Sequence, residues 1–409
     1  MHTTHTGRVI GASFLAVGIV AAALTGCSAG NGGSSSGSTQ YTLWDPYPDR
    51  DATSDWAKAI DACAADLKIT IKRNAGNTGD TVKDLTTAAN NLPDIAMVDN
   101  PKVAVLADAG LLTTTDDNGL DVSTIEPNIL SAGVLDGKTY GVPVGANTLG
   151  IYYNPTVLEA AGVDIASVTD PDSLTAALQK VVAAGKKGIT FSAVGTEEGS
   201  FQFLPWFWGA GADLKKLDSS EAVTSLTLWT DWVKNGLAPN SVLQNTQGTS
   251  WDEFKTGEFG FAENGSWFKG DADSVGYKSI QVPGVSGAAA PAPTGGEFIT
   301  IPIQKDTSRY ATSTKIVKCL TTGNNGADAL GYVAPTADGQ AAQLAADPSL
   351  DFWIKAVGDA KPRTADNLGT DYAVISEQLY TAVQNALSGA SSPADALAAG
   401  QKAVEDKLK

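Results

Sequence analysis

From residue 41 onward the apolar residues of this chain switch repeatedly between a two-residue and a 3.6-residue period, and that alternation limits the fold more than any other feature. Residues 41–44 are apolar and β-prone. Trp56, Ile60, Cys63, Ala64 and Leu67 then recur at helical spacing behind Ser54, a residue suited to capping a helix. Ile69 and Ile71 alternate as a strand does, Val82, Leu85 and Ala89 share a helix face, and residues 94–98 form a third strand before Asn100-Pro101 opens another helix. Residues 189–192, 259–262 and 298–303 read as further strands and residues 309–320 as a helix. Residues 201–211, FQFLPWFWGAG, read as helical and carry Trp206 and Trp208. Val223, Leu226, Thr230 and Val233 lie on one face of a helix that Gly236 ends. Tyr372, Val374 or Ile375, Leu379 and Val383 belong to another, and Ser391-Ser392-Pro393 caps a last helix over 394–408. Residues 140–153, with Pro143 and Gly145, predict an irregular strand or a crossing between lobes, and the Ala/Pro/Gly-rich stretch after Gly284 a loop. The expectation is an α/β fold with largely parallel sheets, with no repeat of solenoid period.

In such sheets ligands collect beyond the carboxyl ends of the strands, so the residues that follow each strand matter most. After the first strand come Asp45-Pro46-Tyr47, and after the third Asp99-Asn100, compositions that also suit turns and caps. The most informative stretch is GEFGFAENGSW, residues 257–267. Phe259 and Phe261 alternate, Glu263 and Asn264 supply a carboxylate and an amide, Gly265 removes a side chain, and Trp267 offers a flat face. That combination suits a neutral, hydroxyl-rich ring with an apolar side. It also suits a core tryptophan beside a solvated loop.

Composition narrows the chemistry. With Lys+Arg 28 against Asp+Glu 45 the formal charge is -17, which disfavours a nucleic-acid partner because phosphate would be repelled. The histidines are His2 and His5, ahead of an apolar run over 9–24 whose length fits the hydrophobic region of a secretory signal. Without them no Ser-His-Asp or Cys-His nucleophile and no histidine-ligated metal site can be built, which leaves carboxylate or lysine chemistry, or binding without reaction. Leu24-Thr25-Gly26-Cys27 resembles the bacterial lipobox, so residues 1–26 are expected to be a lipoprotein signal peptide and Cys27 the lipidated residue. Residues 27–40 are rich in Gly and Ser and read as a flexible tether. Cys63 and Cys319 remain; an oxidising exterior permits a disulfide, but the sequence leaves open whether they approach each other.

A series of motifs in order along the chain now carries a resemblance. These are Asn91-Leu92-Pro93-Asp94-Ile95 leading to Val98-Asp99, Val142-Pro143 with Asn147-Thr148, and Tyr152-Tyr153-Asn154-Pro155 followed by Leu158-Glu159-Ala160-Ala161-Gly162. Trp251, Phe254, Gly257 and Asn264-Gly265-Ser266-Trp267 follow, then Arg363 and the closing SGASSPADALAAGQKAVEDKL. From residue 41 nearly to the end the chain resembles the extracellular solute-binding lipoproteins of ABC importers, of the maltose- and oligosaccharide-binding type.

The resemblance implies a type II periplasmic-binding-protein-like fold: two α/β lobes joined by a hinge, 41–146 plus 296–347 and 147–295 plus 348–409. It implies a non-catalytic protein that captures a neutral mono- or oligosaccharide between the lobes and delivers it to permease subunits, as a monomer lipid-anchored on the extracellular face of the cell membrane, without cofactor or metal. Asp45, Tyr47, Asp99, Asn147, Glu263, Asn264, Trp267, Glu297 and Arg363 are carried over as ligand-binding positions, with Tyr372 as a second stacking aromatic. Trp206 and Trp208 join them on chemistry alone. Two alternatives stay open: a surface glycoside hydrolase using two of these carboxylates, or the same scaffold binding a polyamine or peptide. One departure stands out: Pro171-Asp172-Ser173-Leu174-Thr175 occupies the place of the family's Trp-Asp/Glu-Glu turn, which puts ligand contacts there in doubt.

Overall fold

The computed structural model describes residues 39–409 apart from 77, 89, 90 and 286. The expected signal peptide, Cys27, most of the tether and Ala89 lie outside the described residues. Two lobes are each centred on a sheet. In the first the strand order is Thr70–Ala75, Gln40–Asp45, Ile95–Asp99, Glu297–Thr300, Val142–Pro143. The first three strands pair in parallel, as strands linked by helical crossovers do, whereas Glu297–Thr300 runs antiparallel to both its neighbours. In the second lobe the order is Lys278–Ile280, Leu149–Tyr153, Phe259–Gly265, Lys187–Thr190. There Leu149–Tyr153 is antiparallel to both neighbours and Lys187–Thr190 pairs in parallel with Phe259–Gly265. The sheets are therefore mixed, parallel within the strand–helix–strand units and antiparallel where a strand enters from the other end.

Local chemistry fixes the element ends. Ser54 starts the helix Asp55–Leu67 by accepting from the Ala57 N–H at 3.2 Å, Asn154 caps Pro155–Ala160, and Ser392 caps Pro393–Lys407. One core packs the second sheet against the helices Glu197–Gly209, Ser220–Lys234, Asp371–Leu387 and Pro393–Lys407, around Phe191, Phe203, Trp229 and Trp232. Another runs from the first sheet through Trp56 and Val144 to Tyr152, Trp251 and Trp353. Cys63, on the helix Asp55–Leu67, and Cys319, on Tyr310–Thr321, form a disulfide with Cα atoms 5.8 Å apart. Among the described residues no helix is long and apolar enough to cross a membrane.

Where the chain passes between the sheets, short ladders hold it. Asn147 and Gly295 exchange backbone bonds of 3.2 and 2.8 Å, Ala146 and Val333 bonds of 2.8 and 2.9 Å, and Pro293–Thr294 lies parallel to Lys361–Pro362. Residues 140–153 are thus the irregular crossing that Pro143 and Gly145 predict.

Candidate functional site

Four segments far apart in sequence meet where these ladders end. Asp99 closes a parallel strand, Glu297 faces it in cross-strand register, Glu197 opens the helix Glu197–Gly209, and Arg363 follows the short strand Lys361–Pro362. The Arg363 guanidinium donates from Nη1 to Asp99 Oδ2 at 3.0 Å and to Glu197 Oε1 at 2.7 Å, and from Nη2 to Asp99 Oδ1 at 2.5 Å and Asn100 Oδ1 at 2.7 Å. Its side chain is 2% exposed, and Cζ stands 4.8 Å from the centre of the Phe201 ring. Its Nε, also buried, has no partner among the described residues. Burial opposes its charge, but the Asp99 and Glu197 carboxylates outweigh that, and its pKa lies above the ordinary guanidinium value.

Glu197 and Glu297 are also held by hydroxyls. Tyr372 donates to Glu197 Oε1 at 2.7 Å and Ser376 to Glu197 Oε2. Tyr47 donates to Glu297 Oε2 and stands 3.0 Å, hydroxyl to hydroxyl, from Tyr332. Burial, then the charge of Asp99, push the Glu297 carboxyl up to about 7, against the bonds from Tyr47 and Tyr332 and the attraction of Arg363. Two carboxylates therefore share one guanidinium, with Glu297 beside them, and the cluster is richer in acceptors than in free donors.

An apolar wall adjoins it. Phe201 and Trp267 have ring centres 6.4 Å apart and pack with Leu149 and Ala292. Two glycines make room for them. A Cβ on Gly265 would lie 2.0 Å from the Trp267 ring, and one on Gly295 would lie 2.1 Å from Asn147 Oδ1 and 2.9 Å from Phe201 Cζ.

Of the positions expected from sequence, Asp99, Arg363 and Tyr372 are joined by hydrogen bonds, directly or through Glu197, Tyr47 and Glu297 form a bonded pair that strand register sets beside Asp99, and Asn147 and Trp267 border Phe201. Tyr372 enters by its hydroxyl, with its ring fully buried, rather than by a stacking face. The structure places the other five outside this cluster, each buried with partners of its own. Asp45 is fully buried, its carboxylate accepting from Arg73 at 2.5 and 2.8 Å, from Trp56 Nε1 at 3.2 Å and from the Tyr47 N–H at 3.0 Å. Asn264 bonds Gln247 O at 2.9 Å and Ser250 Oγ at 3.3 Å, beneath the strand end. Glu263 accepts from Trp206 Nε1 at 2.7 Å inside the second lobe. Trp208 is buried with Lys361 Nζ 5.2 Å from its ring centre.

Glu197, Phe201 and Tyr332 are residues of the cluster that sequence reasoning missed, and Asn100 is noted there at its strand end without being assigned a role. Glu197-Glu198 reads as ordinary first-turn acid at a helix start, and Phe201 as one apolar residue among many. Among the described residues no group of three or more His, Cys, Asp or Glu is placed to hold a metal ion. The cluster can accept hydrogen bonds from a polyhydroxylated molecule while the Phe201–Trp267 wall covers its apolar side.

Comparison with known proteins gives concordant findings. Residues 58–351 match the family profile described as bacterial extracellular solute-binding protein. A binding protein of Brucella abortus (strain 2308) is 29% identical over 138 residues, 32% of this chain and 33% of that one, so the match spans about a third of the relative's length. The acarbose-binding GacH receptor of Streptomyces glaucescens GLA.O superposes with a TM-score of 0.78 at 22% identity, covering 90% of this chain and 97% of that one. The cyclic alpha-maltosyl-1,6-maltose binding protein of Arthrobacter globiformis gives a TM-score of 0.70 at 26% identity, over 91% and 100% of the two chains.

Proposed function

We propose that this chain, which belongs to the bacterial extracellular solute-binding proteins, captures an uncharged carbohydrate, an oligosaccharide, between its lobes and delivers it to the permease of an ABC transporter without altering its covalent bonds. The observation that carries this reading is the junction at Arg363, where Asp99 of the first sheet and Glu197 of the second lobe converge beside Phe201 and Trp267. Acceptors drawn from both lobes, next to aromatic faces, match the hydroxyls and C–H face of a sugar ring. The solved relatives that share the fold include proteins complexed with acarbose or named for a cyclic maltosyl-maltose.

On this reading the lobes comprise residues 41–146 plus 296–347 and 147–295 plus 348–409, hinged at the Asn147–Gly295 ladder. Cys27 carries the lipid, the Gly/Ser stretch is the leash, and the monomeric folded part works at the extracellular face of the membrane. Calorimetry against maltose, maltotriose, acarbose and spermidine tests it. Sugar binding with no turnover of the bound sugar is expected, and Trp267→Ala should weaken it by about 1–3 kcal/mol. Heat from spermidine alone, or hydrolysis of the oligosaccharide, would remove the reading.

A further inference from the structure

We infer that Glu263 positions the Phe201–Trp267 ring pair rather than meeting the ligand, by tying the helix that carries Phe201 to the strand that leads to Trp267 through its bond with Trp206. This deepens the proposed sugar site, whose apolar wall those two rings form.

The helix Glu197–Gly209 is buried from Gly199 to Trp208, almost entirely by apolar contacts. Such contacts set its distance from the sheet but leave it free to slide or roll by fractions of a turn, because they have little direction. Hydrogen bonds do have direction. Bonds at its first turn, made by Glu197, Glu198 and Ser200, hold its start, and two more tie its middle to the sheet, one turn apart: Gln202 Oε1 accepts from the Ser192 N–H at 2.6 Å, and Trp206 Nε1 donates to Glu263 Oε2 at 2.7 Å. Ser192 lies just beyond the strand Lys187–Thr190, and Glu263 lies on its parallel neighbour Phe259–Gly265, so the helix is fixed to two adjacent strands.

Phe201 precedes Gln202 directly and stands five residues, about 7.5 Å of helix, before Trp206. Trp267 follows Glu263 by four residues, with Gly265 between them allowing the indole to lie back on the backbone. Phe201 thus lies on the tied helix and Trp267 just past the tied strand, five and four residues from the ends of the tie. Trp206 is itself braced edge-on against Trp232 at 5.0 Å.

The state of Glu263 fits this role. It is fully buried, and among the described residues its Oε1 has no partner, nor has Nε2 of Gln202 on the helix that carries Trp206. Burial raises its carboxyl well above the usual range against the single indole bond, and its Oε2 is the acceptor that Trp206 uses. An amide can present the same acceptor and an alkyl group cannot.

The test uses the protein labelled with ¹⁵N-tryptophan, its nine indole N–H signals assigned through Trp206→Phe and Trp267→Phe. Glu263→Gln should leave the Trp267 signal in place. Glu263→Leu should shift and broaden it, and Trp206→Phe, which removes the donor from the other end, should do the same even if the leucine variant fails to fold. With maltotriose as the probe, affinity should stay within about twofold in Glu263→Gln and fall roughly tenfold in Glu263→Leu. A Trp267 signal unmoved in Trp206→Phe, or a glutamine variant as impaired as the leucine one, would overturn the inference. The indole spectra need no sugar, so they decide the positioning role even if no carbohydrate binds, an outcome that would sink the proposed function instead.

Discussion

Replacing Arg363 with methionine keeps the length and apolar body of the side chain and removes every N–H. Four charge-assisted bonds disappear, and Asp99 and Glu197, only 14% and 20% exposed, lose their shared cation. Breaking a buried ion pair from one side costs about 3–5 kcal/mol, because the partner charge is left behind in a poor solvent. For the folded span Thr39–Lys409 the unfolding entropy is roughly 0.8 kcal/mol/K, so the melting temperature should drop by about 4–6 °C near pH 8. Differential scanning calorimetry of both proteins near pH 8 is the assay. A variant that melts within about 1 °C of the parent would refute the claim that Arg363 neutralises this cluster.

Glu297, with its pKa pushed up to about 7, contributes stability that is full below the ordinary carboxylate range and is lost as pH rises through 7. Glu297→Gln should accordingly flatten the fall in melting temperature between about pH 5 and 8, measured by the same calorimetry. The Cys63–Cys319 bridge spans 256 residues of sequence, and the double serine variant should lose about 2–5 kcal/mol, read from urea unfolding with and without reductant. Gly295→Ala forces a Cβ to within 2.1 Å of Asn147 Oδ1, so it should displace Asn147 or Phe201 and weaken sugar binding more than stability, which calorimetric titration beside a thermal melt would separate.

Much of the architecture is local and was therefore legible. Ser54 and Ser392 announce helix starts within three residues of the backbone groups they bond, and residues 259–262 read as a strand, which in the structure runs on to Gly265 and is buried throughout. The strand direction of Glu297–Thr300 was not legible, since nothing in four residues records which end of the sheet the chain re-enters. The site divides along the same line. Tyr47, Asp99 and Trp267 sit where strand ends predict a ligand rim. Asp45 sits at a strand end too, but its partner Arg73 lies 28 residues away on the adjoining strand, and only that pairing reveals its carboxylate as part of the frame. Glu197 escaped notice for the converse reason: at a helix start its acid looks ordinary, and its importance comes from Arg363, 166 residues further on.

Every strand of the two main sheets is complete by Thr300, yet Arg363, Tyr372 and Ser376 come later in the chain. A polypeptide emerging in order has both platforms available before it owns the pieces that lock Asp99 to Glu197. The junction is consequently finished only when the last stretch has docked, and a chain clipped before Arg363 keeps both platforms but lacks the guanidinium that bridges them.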